Sequence, residues 1–114
     1  LAGLSMELVR LKADSQNVTE GNICIFDNVL DEIALRELVN LLMEKCTGIA
    51  AAFSGSDDTG YRYIMGSRNV DLKARAKELN TLINGRGGGK PQMIQGSATA
   101  QREQIARALE RDYK

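Results

Sequence analysis

The sequence contains no histidine and only two cysteines, which limits the metal sites and disulfides that it can form. Zinc sites need imidazoles or closely spaced thiolates. Cys24 and Cys46 lie 22 positions apart and outside any Cys-x-x-Cys pair, which excludes a zinc knuckle and argues against a disulfide scaffold. We therefore expect two buried thiols that pack as small apolar side chains. We expect no metal site and no catalytic centre in this chain.

Long apolar runs and aromatic side chains are also scarce. No run approaches the roughly 20 residues that a membrane span requires. The stretch from Leu1 to Leu11 is interrupted by charges and lacks the cleavage pattern of a signal peptide. Five aromatic residues are too few for a platform on which the bases of a single strand stack. We expect a cytoplasmic protein without membrane contact, in which Tyr61 and Tyr63 share one face of a strand and cover a core.

The formal net charge is zero, but the charges are unevenly divided along the chain. Residues 1–59 contain 4 basic and 10 acidic side chains, a net charge of −6, whereas residues 60–114 contain 11 basic and 5 acidic ones, a net charge of +6. Such asymmetry indicates an electropositive contact face on an otherwise neutral body. The alternative is that the basic side chains are spread over solvated helix faces all round the molecule.

Apolar periodicity predicts helices interleaved with strands. Helices are predicted over 1–11, between Asp31 and Gly48, from Asn69 or Asp71 to just before Gly85, and over 101–113; strands are predicted over 22–28, 49–54, 61–65 and 92–95. The two central strands form an antiparallel hairpin, in which Asp57 and Asp58 serve only the turn. This order predicts the α/β (α+β) class, with helices packed on a small mixed sheet and a helical segment in front.

The length of 114 residues fits one ordinary domain. We predict that residues 1–16 form an N-terminal helix that continues from an upstream region missing from this sequence. Residues 17–114 are predicted to form the domain itself, with a glycine-rich loop over 85–96.

The segment 84–96 concentrates 5 of the 11 glycines within 12 residues and holds the only proline. Glycines let backbone N–H groups approach a ligand, and consecutive N–H groups in turns form a concavity that binds anions. Arg86 and Lys90 bracket Gly87, Gly88 and Gly89, and both cations suit phosphate. The segment predicts a loop that holds a phosphodiester backbone, unless its glycines only permit a tight passage under a helix or the sheet.

Two known phosphate-binding motifs do not fit this segment. The P-loop would need Gly in place of Asn84 and Ser or Thr in place of Pro91. The dinucleotide fingerprint would need Gly in place of Lys90 and a strand in front, where a helix is predicted. Neither rule therefore gives a mononucleotide site.

From Gly85 to Gly96 the chain resembles the signature of the DHH-associated C-terminal domain, which is found in alanyl-tRNA synthetases, in AlaX-type editing proteins and, as a variant, in DHH phosphoesterases. The resemblance runs from about Gly21 to Leu109 and includes the upstream helix and hairpin. The phosphoesterase branch carries a histidine after its three glycines. Lys90 occupies that position here, which favours the synthetase and editing branch.

The resemblance implies a cytoplasmic accessory domain that binds tRNA, forms a homodimer, or does both. The predicted nucleic-acid contacts are Arg86, Gly87, Gly88, Gly89, Lys90, Arg68 and Lys73, with Arg62 and Lys77 in support. It also implies that the parent is an alanyl-tRNA deacylase or an alanine–tRNA ligase, with any zinc in a missing editing domain and no cofactor in this chain. The alternatives are a dimerisation scaffold, motivated by the apolar N-terminal helix, and the substrate-holding domain of a phosphoesterase.

Overall fold

The computed structural model describes residues 10–11, 21–27 and 31–109. Its elements are β1 (Ile23–Asp27), α1 (Glu32–Met43), β2 (Ala50–Ser56), β3 (Gly60–Gly66), α2 (Leu72–Ile83), β4 (Gly85–Lys90), β5 (Met93–Ala98) and α3 (Arg102–Leu109). The predicted mixed sheet with packed helices is confirmed. The predicted helix at 1–16 lies outside the described residues except for Arg10 and Leu11, which are helical.

The five strands form one sheet in the order β1-β2-β3-β5-β4. Only β1 and β2 run parallel, joined by the crossover through α1, while the other neighbours are antiparallel. The predicted hairpin of the two central strands is therefore confirmed. The glycine-rich strand β4 forms one edge of the sheet.

Alternation along the strands gives the sheet two apolar faces. Ala50, Ala52 and Ile64 pack under α1, whose buried side chains are Ala34, Leu35, Leu38, Val39 and Leu42. The opposite face packs under α2 and α3 and is built around Phe53, Tyr63, Met65 and Ile94. Tyr61 belongs to this second face, so the prediction that Tyr61 and Tyr63 cover a core is confirmed.

Local capping sets the start of two helices. The Asp31 carboxylate accepts the Ala34 backbone N–H at 2.9 Å, and the Asp71 carboxylate accepts the Ala74 N–H at 3.1 Å. Such side-chain acceptors satisfy amides that the helix itself leaves unpaired. Asp71, rather than Asn69, is thus the cap of α2. Asn69 instead donates to the backbone carbonyl of Thr47 at 2.8 Å.

The prediction that Gly48 ends α1 is wrong. The last helical residue is Met43, and the Glu44 N–H bonds back to the carbonyls of the final turn. The Gly48 N–H donates to the Gly21 carbonyl at 3.0 Å, and a Cβ at position 48 would collide with the Asn22 side chain. This glycine permits two backbone segments to approach closely, which a sequence pattern does not distinguish from a helix stop.

The predicted loop over 85–96 is a β-hairpin instead, in which the strand predicted over 92–95 corresponds to the start of β5 and strand β4 was not predicted. Strands β4 and β5 are antiparallel and joined by a two-residue turn at Pro91 and Gln92. A strand with the sequence GRGGGK has too few side chains to show the two-residue alternation that marks a strand. The extended conformation of β4 comes from its pairing with β5, which the local sequence does not indicate.

Asp57 does more than close a turn. Its carboxylate accepts the Arg102 backbone N–H at 2.7 Å and the Tyr61 hydroxyl at 2.8 Å. Asp57 thus accepts a hydrogen bond from the first turn of α3, although its hairpin lies 45 positions earlier in the chain. These two hydrogen bonds, the backbone one first, hold the pKa of Asp57 below its ordinary value.

We expect the Asp57 bonds to make stability pH-dependent in acid. A carboxyl whose pKa is lowered by folding stabilises the fold above its unfolded pKa of about 3.9, and this stabilisation is lost as the pH falls through the lower folded value. The free energy of unfolding of the wild type in urea should therefore fall as the pH drops below about 4. An Asp57→Asn variant, which keeps an acceptor oxygen but does not titrate, should show a shallower decline over the same range. Equal slopes would contradict this role.

Candidate nucleic-acid interface

Among the described residues, no helix covers half of one sheet face. Helix α1 packs over β2 and β3, whereas the same face of β5 and β4 is largely exposed. We call this surface the open face. It is formed by the side chains or Cα atoms of Arg62, Arg86, Gly88, Lys90, Met93, Gln95 and Ser97.

Strand register arranges the open face in three rows. The first row is Arg62, Ser97 and Arg86, because Ser97 lies opposite both arginines. Neighbouring strands are about 4.8 Å apart, so the two arginine backbones are separated by about 10 Å and their side chains can reach one group above Ser97. The first row is therefore suited to a single anion held from two sides.

The second and third rows continue along β5 towards the hairpin turn. Gln95 lies opposite Gly88, and Met93 lies opposite Lys90. Arg36 of α1 reaches over the second row, where its Nη2 donates to Gln95 Oε1 at 3.0 Å. Each row is about 7 Å from the next, since residues on one strand face recur every second position.

Two shallow clefts lie along these rows. The first, of about 390 Å³, is bordered by Arg62, Arg86 and Ser97 and by Glu32 at the start of α1. The second, of about 290 Å³, lies over Gly88 and Lys90 beside Arg36. Gln95 borders both clefts, so the two adjoin at this residue, and we call them together the trough.

The trough is electropositive. Arg36, Arg62, Arg86 and Lys90 contribute four positive charges, against the single carboxylate of Glu32. Glu32 Oε2 lies 3.7 Å from Arg62 Nη1, and these side chains are 48% and 65% exposed, so the pair is weak. Within the described part of the chain, Arg86 and Lys90 have no ion pair or side-chain hydrogen bond.

Arg68 and Lys73 lie beyond one end of the open face. The Ser67 N–H donates to the Gln92 carbonyl at 3.0 Å, and the Leu72 N–H donates to the Pro91 carbonyl at 2.9 Å. The residues that follow, Arg68 and Lys73, therefore flank the hairpin turn after Lys90. Arg68 Nη2 is 4.0 Å from Glu44 Oε1, whereas Lys73 is exposed without an ion pair among the described residues. Lys77 lies on α2, across the sheet.

The predicted cradle of consecutive amides does not form. The Thr99 N–H donates to the Asn84 carbonyl at 3.1 Å, so hydrogen-bonded pairs recur at every second residue of β4. The Arg86, Gly88 and Lys90 amides are therefore used by the sheet, and those of Gly87 and Gly89 point outwards from its edge. An anion nest requires alternating helical and left-handed residues, whereas this segment is extended.

Four of the five glycines in the run have a packing reason. A Cβ at Gly85 would lie 2.5 Å from the Ser97 carbonyl oxygen, one at Gly89 would lie 2.6 Å from that of Met93, and one at Gly96 would collide with the Arg86 carbonyl. A Cβ at Gly87 would lie 2.5 Å from Tyr63 Oη. The tight-passage interpretation is thus correct for these four positions.

The Gln95 carbonyl oxygen, with which a Cβ at Gly87 would collide, and Tyr63 together explain the constraint at this position. The Tyr63 ring is fully buried beneath α2, and its hydroxyl donates to Asn80 Oδ1 at 2.6 Å. Asn80 Nδ2 in turn donates to the Gly87 carbonyl at 3.2 Å. The tyrosine therefore lies across the backbone of Gly87 and cannot move away. Gly88 differs, because a Cβ there would meet nothing within 4 Å.

Neither cysteine offers reactive chemistry. Burial raises the pKa of Cys24 to about 12 and also raises the pKa of Cys46. Both thiols are free; Cys46 is buried as predicted, whereas Cys24 is only partly buried and packs against the apolar cluster under α2 and α3. In the described ranges there is no group of three or more His, Cys, Asp or Glu side chains able to hold a metal ion. No helix among these residues is long and apolar enough to cross a membrane.

Comparison with known proteins gives one family match. The model of the DHHA1 domain matches residues 20–112. The chain is 35% identical over 75 residues to the alanine–tRNA ligases of two strains of Ureaplasma parvum serovar 3, a stretch that covers 60% of this chain and only 8% of each ligase. Its fold is similar to the crystal structure of the C-Ala domain from Aquifex aeolicus alanyl-tRNA synthetase. The TM-score is 0.60 at 21% identity, with 84% of this chain and 97% of the other covered.

Proposed function

Because the chain belongs to the DHHA1 domain family, we propose that it is an accessory RNA-binding domain whose open face holds the phosphate backbone of tRNA. The observation that carries this proposal is the pair of exposed cations on β4, Arg86 and Lys90, which have no ion pair with any described residue and lie beside Arg36 and Arg62. The alanine–tRNA ligases that it resembles act on tRNA by name, which supports tRNA as the partner.

The chemistry of the open face is binding rather than catalysis. Guanidinium groups donate paired hydrogen bonds to phosphate oxygens, and a lysine adds a point charge. The Ser97 hydroxyl and the Gln95 amide supply neutral donors in the same trough. Such contacts position a nucleic acid without reading its sequence. We propose that ligation or deacylation, with any zinc it needs, takes place in other parts of the parent protein.

In this proposal the residues of the glycine run have roles that differ from those predicted from the sequence. Arg86 and Lys90 contact phosphates from the open face, with Gly88 between them. Gly87 and Gly89 present amides only at the sheet edge, where a ligand that extends past β4 would meet them. Arg68 and Lys73 extend the cationic surface beyond the hairpin turn.

Titration of the domain with tRNA over a salt series tests this proposal. Each phosphate contact contributes about −0.7 to −0.9 to the slope of log affinity against log salt. We expect wild-type binding at low salt, and in Arg86→Ala with Lys90→Ala a loss of about 10-fold and a slope shallower by about 1.4 to 1.8.

A double variant on α2, Arg75→Ala with Lys77→Ala, is the matched control, since it removes the same charge on the opposite side of the sheet. We expect it to retain most of the affinity. If the wild type did not bind at low salt, or if both double variants lost the same affinity, the open face would not be the RNA site.

A further inference from the structure

Strand β1 is the second edge of the sheet, at the opposite end from β4. In a parallel pair, alternate residues of a strand direct both their N–H and their C=O to the partner strand. The Ile23 N–H donates to the Ile49 carbonyl at 2.9 Å, so the odd-numbered residues of β1 direct these groups to β2. The N–H and C=O groups of Cys24 and Phe26 therefore point away from the sheet. No hydrogen bond joins these four groups to another described residue.

The edge at β1 lacks the features that usually protect an edge strand. Such strands carry charges, proline or a bulge. From Ile23 to Phe26 the strand is uncharged and rich in residues that favour β structure, and its register with β2 has no bulge. At β4, in contrast, the Asn80 amide occupies the Gly87 carbonyl and two cations lie on the strand. Of the two edges, β1 is thus the one that is suited to receive a further strand.

A cation lies above this edge. Arg102, at the start of α3, places its guanidinium 4.8 Å from the centre of the Phe26 ring. Arg102 is exposed, and its side chain has no ion pair or hydrogen bond with any described residue. The nearby Asp57 carboxylate already accepts the Arg102 backbone N–H and the Tyr61 hydroxyl. The N–H groups of the stacked guanidinium are therefore left for an acceptor outside the described part of the chain.

A cleft of about 250 Å³ lies beside this guanidinium. It is bordered by Arg102, Phe26, Asp27, Gly55 and Tyr61. Gly55 brings no side chain, and Asp27 already has an interaction of its own. A residue opposite Phe26 on an added strand would lie next to this cleft, where an aromatic ring and an unpaired guanidinium favour a side chain that ends in a carboxylate.

We infer that β1 binds an extended segment of another polypeptide, which adds as a sixth strand to the five-stranded sheet and directs an acidic side chain to Arg102. In strand addition, backbone hydrogen bonds give affinity and side-chain contacts give specificity. Here the backbone bonds are those of Cys24 and Phe26, and the specificity comes from Arg102. This inference goes beyond the proposed function, because β1 and β4 are opposite edges of the sheet.

A second copy of this chain fits the edge less well than such a partner. Suppose that β1 of two copies paired about a two-fold axis through their outward groups. Within residues 22–26, the residue opposite Phe26 would then be Asn22, Cys24 or Phe26 of the copy. None of these is acidic, so Arg102 would gain no carboxylate. The charge at the edge thus favours a different polypeptide.

Amide hydrogen exchange followed by NMR tests whether the edge is open in the isolated chain. We expect the amides of Cys24 and Phe26 to exchange about 100-fold faster than that of Ile25, which bonds to β2. Protection of Cys24 and Phe26 at every concentration would show that another part of this chain covers the edge. Protection that increases with protein concentration would show that a second copy does. Either result would overturn the inference.

A capped octapeptide of alternating valine and threonine, with glutamate in place of one central threonine, is the probe for binding. We expect it to slow exchange at Cys24 and Phe26, and a glutamine version to bind about 5-fold more weakly. Arg102→Glu should weaken binding of the glutamate peptide about 10-fold, and a lysine version should regain most of that loss. Arg107→Glu, the same reversal at the other end of α3, is the matched control and should bind as the wild type does.

Two results with these peptides would contradict the inference. If about 1 mM glutamate peptide left the amides of Cys24 and Phe26 unchanged, strand addition at β1 would be wrong. If the glutamate, glutamine and lysine peptides bound the wild type equally, the acidic class of partner would be wrong. A helix start favours Glu over Arg, so Arg102→Glu should fold. The glutamine peptide tests the same contact in the wild type even if that variant does not fold.

Discussion

A Gly87→Val variant is expected to lose about 4 kcal/mol of unfolding free energy, enough to leave a marginally stable domain largely unfolded. Even the first added carbon would lie 2.5 Å from Tyr63 Oη and 2.7 Å from Gly96 Cα. Tyr63 is fully buried and hydrogen-bonded to Asn80, and Gly96 is backbone within the sheet, so neither can move aside cheaply. The cost is that of forcing atoms into a space that is already filled.

Urea denaturation followed by circular dichroism measures this effect, with Gly88→Val as the matched control one residue away. We expect the control to stay within about 0.5 kcal/mol of the wild type, since its side chain enters solvent and valine suits a strand. Similar destabilisation in the two variants would contradict our explanation of the glycine run. The comparison thus separates the glycine that is required by packing from the one that is not.

Reversal of the charge of both arginines in the first row should strongly reduce the affinity of the open face for RNA. We expect Arg62→Glu with Arg86→Glu to weaken tRNA binding by about 100-fold or more, because two attractive contacts become repulsive. The carboxylate of Glu32 already borders this cleft, so the reversed row would present three negative charges to an incoming phosphate. The exposed Arg62–Glu32 pair contributes little to stability, so the fold should persist.

The control for this reversal is Arg75→Glu with Lys77→Glu, which changes the net charge by the same amount on α2. Filter binding at fixed low salt compares the two double variants, and thermal melts verify that both are folded. If the α2 reversal weakened binding as much as the first-row reversal, then the total charge of the domain, rather than the open face, would govern its affinity for RNA.

Local patterns were sufficient to predict most of the fold. Asp31 and Asp71 indicate the starts of their helices because a cap acts over three residues, and the short apolar runs of β2 and β3 indicate strands. Strand β4 could not be predicted this way, since a strand made largely of glycine carries no alternation. Its extended shape comes from β5 beside it and from Tyr63 across it, both of which are non-local.

The candidate site likewise combines residues that a local pattern indicates with residues that only non-local contacts bring together. Arg86 and Lys90 were predicted because they lie together in one unusual segment. Arg36 meets Gln95 across 59 positions of sequence, and Arg62 joins Arg86 only through the register of three strands. Arg62 was predicted only as a supporting contact and Arg36 was not predicted, because an arginine on a strand or on a helix surface is ordinary. Asp57 was likewise assigned to a turn because its partner Arg102 is 45 positions away.

The contact between Asn80 and the Gly87 carbonyl has a consequence for how copies of this domain behave in concentrated solution. An exposed strand with few side chains is otherwise a template on which further strands add, and aggregation begins at such edges. Here one acceptor of that template is already occupied, and Arg86 and Lys90 repel the same residues of an approaching copy. This edge is therefore a poorer template for fibril growth than a glycine-rich strand with every acceptor open.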